Sequence, residues 1–528
     1  MKRIILPLFI CLLLAGCGHK KQVDLIVINA RIYTVDEDFS KAQAFAVHNG
    51  KFVAVGSTRY IKADYKSDNV VNLRNSLATI YPGFNDCHAH LTSLGYALLK
   101  VNLRGATSYA EMVERLQKAQ QEHNLTCILG EGWDQNDWTD DNSMPTYHRL
   151  NETFPDIPVI LTRVDYHATL ANKAAIELAG MKDNGTGLFM EGSGAQLGNI
   201  TPKYSDQEVA SIILTAQEKC FAAGLTSISS VGESLRNLLI LDSLSDNGQL
   251  KLRVDAYLSA SRANMEHFTS PYRNDRLRIA GLKLFQDGAL GSRGALLLKP
   301  YSDAPKTRGI HVTSDETFRS CLQWADEHGF QVATHAIGDA ANRYALDMYG
   351  EILKGENDRR WRIEHAQVVN PADMDKFGKF SIIPSVQPTH CTSDMFWAAE
   401  RLGDRIEHAY NFKQLMDQLG WIPTGTDFPI EDVSPIKTFF AAVFRKNLDY
   451  LPEEGFRMDE GLTREETLRS MTCWAAKVSF EEDVKGSIEP GKYADFIITD
   501  RDIMTVSERE ILSTKIIRTY VGGELVFK

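Results

Sequence analysis

The sequence contains no two cysteines at CxxC or similarly close spacing. With Cys11 and Cys17 set aside in the N-terminal segment, Cys87, Cys127, Cys220, Cys321, Cys391 and Cys473 are scattered through 528 residues. That scatter does not indicate a disulfide framework, although an exported chain could form isolated bridges, so most of these thiols read as small core residues. Positive charge is also scarce: 58 Lys and Arg against 69 Asp and Glu leave a net charge of −11, with no basic excess for a nucleic-acid partner. Repeats, coiled-coil heptads and low-complexity tracts are missing too. The glycine-rich "AGMKDNGTG" lacks both a following helix pattern and a Lys-Ser/Thr pair, which excludes a phosphate-binding loop.

What is present begins with "MKRIILPLFICLLLAGCGHKK", a basic start, an apolar stretch too short to span a membrane, and small residues before Cys17. This is the layout of a signal peptide over residues 1–16. Leu14-Ala15-Gly16-Cys17 resembles a bacterial lipobox, which would make Cys17 the lipidated first residue of the mature chain; a plain signal peptide cleaved nearby is the other reading. The expectation is a bacterial cell-envelope protein held by lipid and facing the periplasm or the exterior.

Short strand patterns with turn signals follow: "VDLIVINARIYTV", "AFAVHNGKFVAVG" with its Asn49-Gly50 hairpin signal, and "NVVNL". The C-terminal "YADFIITD" and "IIRTYVGGELVF" match them, and neither end alone buries much apolar surface. Residues 22–80 and 476–528 are therefore expected to form one small β-sandwich. Between them eight strand-like runs alternate with helix-like segments: "LATIYPGFNDCHAH", "GLTSISSV", "LRVDAYLS", "IAGLKLFQD", "FQVATHA", "RWRIEHAQ", "FSIIPSVQP" and "WIPTGTDF". The pattern is that of a TIM-like (β/α)₈ barrel over residues 81–475, with its active site where the strands end. The gap after the first run is far longer than a crossover needs, so residues 103–201 read as an inserted subdomain over the barrel mouth.

The candidate chemistry sits at the ends of these runs. Residues at i and i+2 of a strand project to one side, so His88 and His90 can share a metal ion; two polar strand-end residues are the equal alternative. A lysine facing a barrel interior, Lys283, would lose proton affinity and react as a neutral amine with carbon dioxide, whereas one facing outward would merely snorkel. His335 and His365 end two successive runs; either alone reads first as a hydrogen-bonded core residue, but neutral imidazole is the commonest divalent-metal ligand and the matching positions favour that role. Asp427 ends the eighth run, where a carboxylate can bind metal and accept a proton, or simply cap a turn before Pro429. Taken together, six such residues fall near the C-terminal ends of runs one, four, five, six and eight.

The motifs "PGFNDCHAH", "GEGWDQNDW", "RVDYHATLAN", "KLFQDGALGSRGA", "THAIGD", "RIEHAQ", "SVQPTH", "GTDFP" and "GSIEPGKYADFII" resemble, in order, those of the amidohydrolase superfamily of metal-dependent hydrolases, closest to the branch with N-substituted formamide deformylases. The resemblance implies that His88 and His90 bind a first divalent metal, zinc by expectation, with Asp427 completing that site. It also implies that a CO2-derived carbamate on Lys283 bridges to a second metal held by His335 and His365. Trp133, His167, Arg293, Gln387 and His390 fall in family-typical segments and are candidates for the substrate pocket, Arg293 for anion or carbonyl recognition. Cys87 stands between Asp86 and His88, on the opposite strand face from the two histidines, and is expected to pack.

The implied activity is hydrolysis of a non-peptide C–N bond, an amide or cyclic amide of a small molecule, by metal-activated hydroxide with Asp427 as the proton acceptor. Two alternatives stay open. One is a mononuclear deaminase or esterase of the same superfamily, and the other is a non-catalytic lipoprotein that binds a small molecule. A homodimer is the oligomeric state left open.

Overall fold

A computed structural model describes residues 20–528 apart from positions 142, 165, 167, 191 and 192. The expected signal peptide (residues 1–16), Cys17 and His167 lie outside the described residues. Among those residues, no helix is long and apolar enough to cross a membrane.

The centre of the fold is a parallel barrel of seven regular strands, paired in chain order. They are β1 (Phe84–Ala89), β2 (Leu225–Glu233), β3 (Arg253–Ser259), β4 (Leu277–Phe285), β5 (Gln331–Ala336), β6 (Arg362–His365) and β7 (Ile383–Ser385). Helices cover the outside, among them α1 (Asp206–Ala222), α2 (Asp315–His328), α3 (Asp339–Leu353) and α4 (Pro388–Leu402). Their starts are written in the sequence: Ser205 and Glu208 form a capping box for α1, and Ser314 caps α2, which Gly329 ends at φ +74°.

The eighth run, "WIPTGTDF", differs from the expected strand. It makes only an isolated parallel bridge, Val386 with Thr424, yet it still closes the barrel between β7 and β1. The N–H of Gly425 donates to Val386 O (3.0 Å), that of Cys87 to Thr424 O (3.2 Å), and that of Asp427 to His88 O (2.8 Å). Pro423, which has no N–H, and a left-handed Asp427 at φ +62° prevent a regular ladder here.

Strand alternation decides which side chains enter the barrel. On β4, Leu282 and Leu284 join the core shared with the helices, so Lys283 faces inward and is 2% exposed. Its register partner on β5, Ala333, packs with Val231 and Tyr257 in a small interior cluster apart from that core.

Both chain ends share one sheet. Phe496–Thr499 pairs with Thr79–Pro82 on one side and with Ile516–Val521 on the other. A four-stranded sheet of residues 25–72 packs beside it through Phe45, Phe52 and Phe496. The Asn49-Gly50 hairpin forms, with both residues at positive φ between paired His48 and Lys51. The strand 79–82 belongs to this sheet, so the passage into the barrel falls at Gly83, two residues later than the expected boundary. A Cβ at Gly83 would sit 2.2 Å from Thr226 Oγ1, which is why glycine carries the chain through that gap. The insertion has its own five-stranded sheet, from Val101–Asn102 to Leu188–Met190, and its own core around Leu116, Trp133, Leu161 and Leu170.

Candidate metal centre

At the C-terminal mouth of the barrel, five histidines gather around Asp427. Ring centroids step from His90 to His88 (5.4 Å), His88 to His365 (5.0 Å), His365 to His335 (4.5 Å) and His365 to His390 (5.8 Å). The two oxygens of Asp427 face different partners. Oδ1 lies 3.4 Å from His88 Nε2 and 3.2 Å from His90 Nε2, whereas Oδ2 lies 3.1 Å from His390 Nε2. Two groups have ligand atoms mutually within 4.8 Å: His88, His90 and Asp427, and His365, His390 and Asp427.

Hydrogen bonds from the far side of each ring select the atom that faces inward. His88 Nδ1 bonds to the Glu364 carboxylate, and His90 Nδ1 donates to Val231 O at 3.0 Å, leaving both Nε2 lone pairs turned to Asp427. Burial holds three of the rings neutral, as ligation requires: His88 is pushed down to about 4, His335 to about 3, and His365 also well below the usual range. His390 moves the other way. Burial disfavours its cation, but bonds to Asp427 and Glu431 outweigh that and raise it well above the usual histidine range. Against the burial that opposes ionisation, His88, His390 and His90 keep the Asp427 carboxyl ionised. Lys283 is lowered to about 8 by burial and lies over the Phe285 ring at 4.9 Å.

The fit to a divalent cation can be tested on unsatisfied atoms. His335 Nε2, His365 Nδ1 and Asp427 Oδ1 are buried and have no hydrogen-bond partner. Each such atom costs about 1–3 kcal/mol if left unpaired, so their clustering at the barrel mouth points to cation ligation in place of hydrogen bonds within the protein. Imidazole nitrogens with a carboxylate oxygen suit zinc or a similar ion, and these residues fit one. Backbone geometry agrees: His365 at φ +73° and Asp427 at φ +62° hold left-handed conformations unusual for such residues, which clusters of this kind tolerate at functional sites.

Several sequence candidates are placed elsewhere. Trp133 is fully buried in the insertion's core and donates from Nε1 to Leu161 O at 3.1 Å; it packs the subdomain and does not face the cavity. Arg293 chelates Asp303 through Nη2 (2.7 Å) and Nε (3.3 Å), an ion pair within its own loop in place of anion recognition at the centre. Gln387 is 3% exposed at the start of α4; its amide donates to Ser385 O, and its Oε1 has no partner. His390, grouped with pocket residues on sequence grounds, stands directly on Asp427. Cys87 packs with Ile383, Trp421, Ala475 and Val478, and burial pushes its thiol far up.

Three residues escaped the sequence reading: Glu364, Arg362 and Glu431. Glu364 is buried between His88 and Arg362, whose Nε lies 2.5 Å from Glu364 Oε1 and whose guanidinium is 4.3 Å from the Tyr257 ring. Burial opposes its ionisation, yet Arg362 and His88 bring it down to about 2. The available signal was two charges on one interior face, Arg362 and Glu364 at i and i+2 in "RIEH".

A parallel barrel with imidazoles and a carboxylate converging at the strand ends is an arrangement that suits a metal-dependent hydrolase. The comparisons give its family: the chain belongs to the amidohydrolase family, whose sequence profile matches residues 69–527. It is 33% identical to a metal-dependent hydrolase of Pyrococcus horikoshii OT3 of known structure, with a TM-score of 0.78 over 92% of this chain and 99% of that one. Arabidopsis thaliana protein LONG AFTER FAR-RED 3 is 29% identical over 548 residues, 96% of this chain and 91% of that protein. The N-substituted formamide deformylase of Arthrobacter pascens is 24% identical over 551 residues, 96% of this chain and 98% of the enzyme.

Proposed function

We propose that this amidohydrolase-family enzyme hydrolyses a non-peptide C–N bond of a small-molecule amide. The observation that carries the reading is Asp427, whose Oδ1 faces two histidine nitrogens and has no hydrogen-bond partner while Oδ2 is held by His390. The similarity to an N-substituted formamide deformylase supports the bond type. His88, His90 and Asp427 would hold one divalent cation, and His335, His365 and a carbamate on Lys283 a second. Such ions, when bound, supply Lewis-acid activation of water and of the substrate carbonyl.

The chain's own residues do the rest. Asp427 Oδ1 accepts the proton of the attacking water and returns it to the leaving nitrogen. His390, backed by Glu431 at 3.5 Å, fixes Oδ2 so that the carboxylate presents one oxygen. Glu364 keeps His88 in the tautomer that turns Nε2 inward, and the buried position of Lys283 supplies the neutral amine that carbamate formation needs. Cleavage by a zinc-loaded chain starting after Cys17, scored on N-formyl, N-acyl and cyclic amides, tests the reading. Asp427→Asn is expected to lower kcat about 10²–10⁴-fold while zinc content is followed separately. Undiminished turnover by that variant would overturn the mechanism.

From the lipobox-like Leu14-Ala15-Gly16-Cys17 alone, we further propose that a lipid on Cys17 holds the chain at the bacterial cell envelope. Radiolabelled palmitate should enter the expressed chain and be lost in Cys17→Ala.

A further inference from the structure

A cavity of about 850 Å³ opens beside His90, between the barrel mouth and the insertion. It is far larger than a formyl or acetyl group and lies in the range of pockets that enclose a drug-sized molecule. The wall beside the centre is Pro429 and Ile430, two and three residues after Asp427, and Arg104 of the insertion donates from Nη2 to Pro429 O at 2.6 Å.

Two features of the lining define what fits. The first is aromatic: Tyr96 and Tyr204 stand 5.7 Å apart, and Tyr166, 40% exposed, adds a third ring. Tyrosines present flat apolar faces to a ring-bearing ligand. The second is charge. In a chain of net charge −11, this lining carries Lys100, Lys203 and Arg236 against Glu131 alone. Lys100 is neutralised by Glu131 at 2.5 Å, and Arg236 is held by Asp206 at 2.7 Å and by Tyr204 O. Lys203 is exposed and makes no hydrogen bond or ion pair among the described residues. Lys203 is thus the uncompensated charge of the lining, and it attracts an anion.

We infer that the substrate is an amide whose part remote from the scissile bond carries an aromatic ring and, beyond it, an anionic group. The ring lies among Tyr96, Tyr166 and Tyr204, and the anion meets Lys203 at the mouth. This rests on the C–N hydrolase reading, so the test separates the two.

The zinc-loaded chain is assayed on the N-formyl derivatives of benzylamine, 4-carboxybenzylamine and 4-(aminomethyl)benzylamine, with N-formylethylamine as the ringless control. Binding of the methanesulfonamides of the same amines, which have no carbonyl to attack, is measured by calorimetry. The expected order in kcat/KM and in affinity is carboxylate, then neutral, then cation, each step at least threefold, with the ringless compound at least tenfold below benzyl. Added salt narrows the charge steps. Lys203→Glu should invert the carboxylate-to-cation ratio, and Tyr96→Ala should shrink the benzyl-to-ethyl ratio. Equal turnover and affinity across the three charges, or a ratio that Lys203→Glu leaves in place, overturns the inference. If no formamide is cleaved but the anionic sulfonamide binds best and Lys203→Glu abolishes that preference, the chamber stands and the C–N reading falls.

Discussion

Replacing Glu364 by Gln perturbs the centre through a residue that touches no metal in the proposed scheme. The side chains of Glu364 and Arg362 are both 0% exposed and pair with each other, and Glu364 also fixes His88 Nδ1. Gln has the same shape but no charge, so the Arg362 guanidinium loses its buried counter-charge while its stack on Tyr257 remains. Breaking a buried pair from one side costs about 3–5 kcal/mol. The retained amide oxygen places this case near about 3 kcal/mol, and at about 2 °C per kcal/mol the melting temperature should fall by about 6 °C. The amide can also donate a proton to His88 Nδ1, which moves the imidazole hydrogen to Nε2 and blocks the lone pair that faces Asp427. Loss of such a supporting carboxylate costs about 10–100-fold in metal affinity. Zinc competition against a chelator and thermal melts with and without zinc read the two effects. The double variant Arg362→Met with Glu364→Leu should regain much of the stability but not the affinity, because it removes the orphaned charge without restoring the tautomer. An E364Q protein that melts with the parent and holds zinc as tightly would refute the argument.

Three further outcomes follow from the same geometry. In Gly425→Ala the new Cβ would meet His88 N at 2.5 Å and Asp86 Oδ1 at 2.7 Å, so the His88 backbone must shift; zinc affinity should drop at least about tenfold and stability by about 1–3 kcal/mol. With its amine near 8, Lys283 is about one-tenth neutral at pH 7 and about nine-tenths at pH 9, and only the neutral form adds carbon dioxide. At a fixed concentration of dissolved carbon dioxide, reactivation of metal-stripped protein should therefore speed up severalfold between pH 7 and 9, and Lys283→Ala should show no dependence on carbon dioxide. Cys87→Ala should keep full zinc content by metal analysis and lose about 1 kcal/mol in urea unfolding, since the thiol packs against Trp421 and Ile383.

Local periodicity alone settled a great deal here. Seven of the eight strand-like runs are regular barrel strands, the two ends meet in one sheet, and the long interval after "PGFNDCHAH" is a subdomain with its own core. The ligand candidates His88, His90, Lys283, His335, His365 and Asp427 were legible because parallel strands end at a common rim: a polar residue at the end of each apolar run is carried to one place. Tertiary structure alone decided which way each group faces and what holds it. The apolar neighbours of Lys283 fit either orientation until helices packed on Leu282 and Leu284. Glu364 and His365 are adjacent and would alternate faces in a regular strand; a left-handed φ at His365 releases it from that alternation. The partner of His88 is 276 residues away, and no spacing rule reaches that far. Trp133 and Arg293 show the converse, since motif and chemistry suited them to a pocket while the insertion's core and Asp303 took them. Residue type and strand period encode position along an element, but the pairing of buried charges depends on which elements the closed barrel brings together.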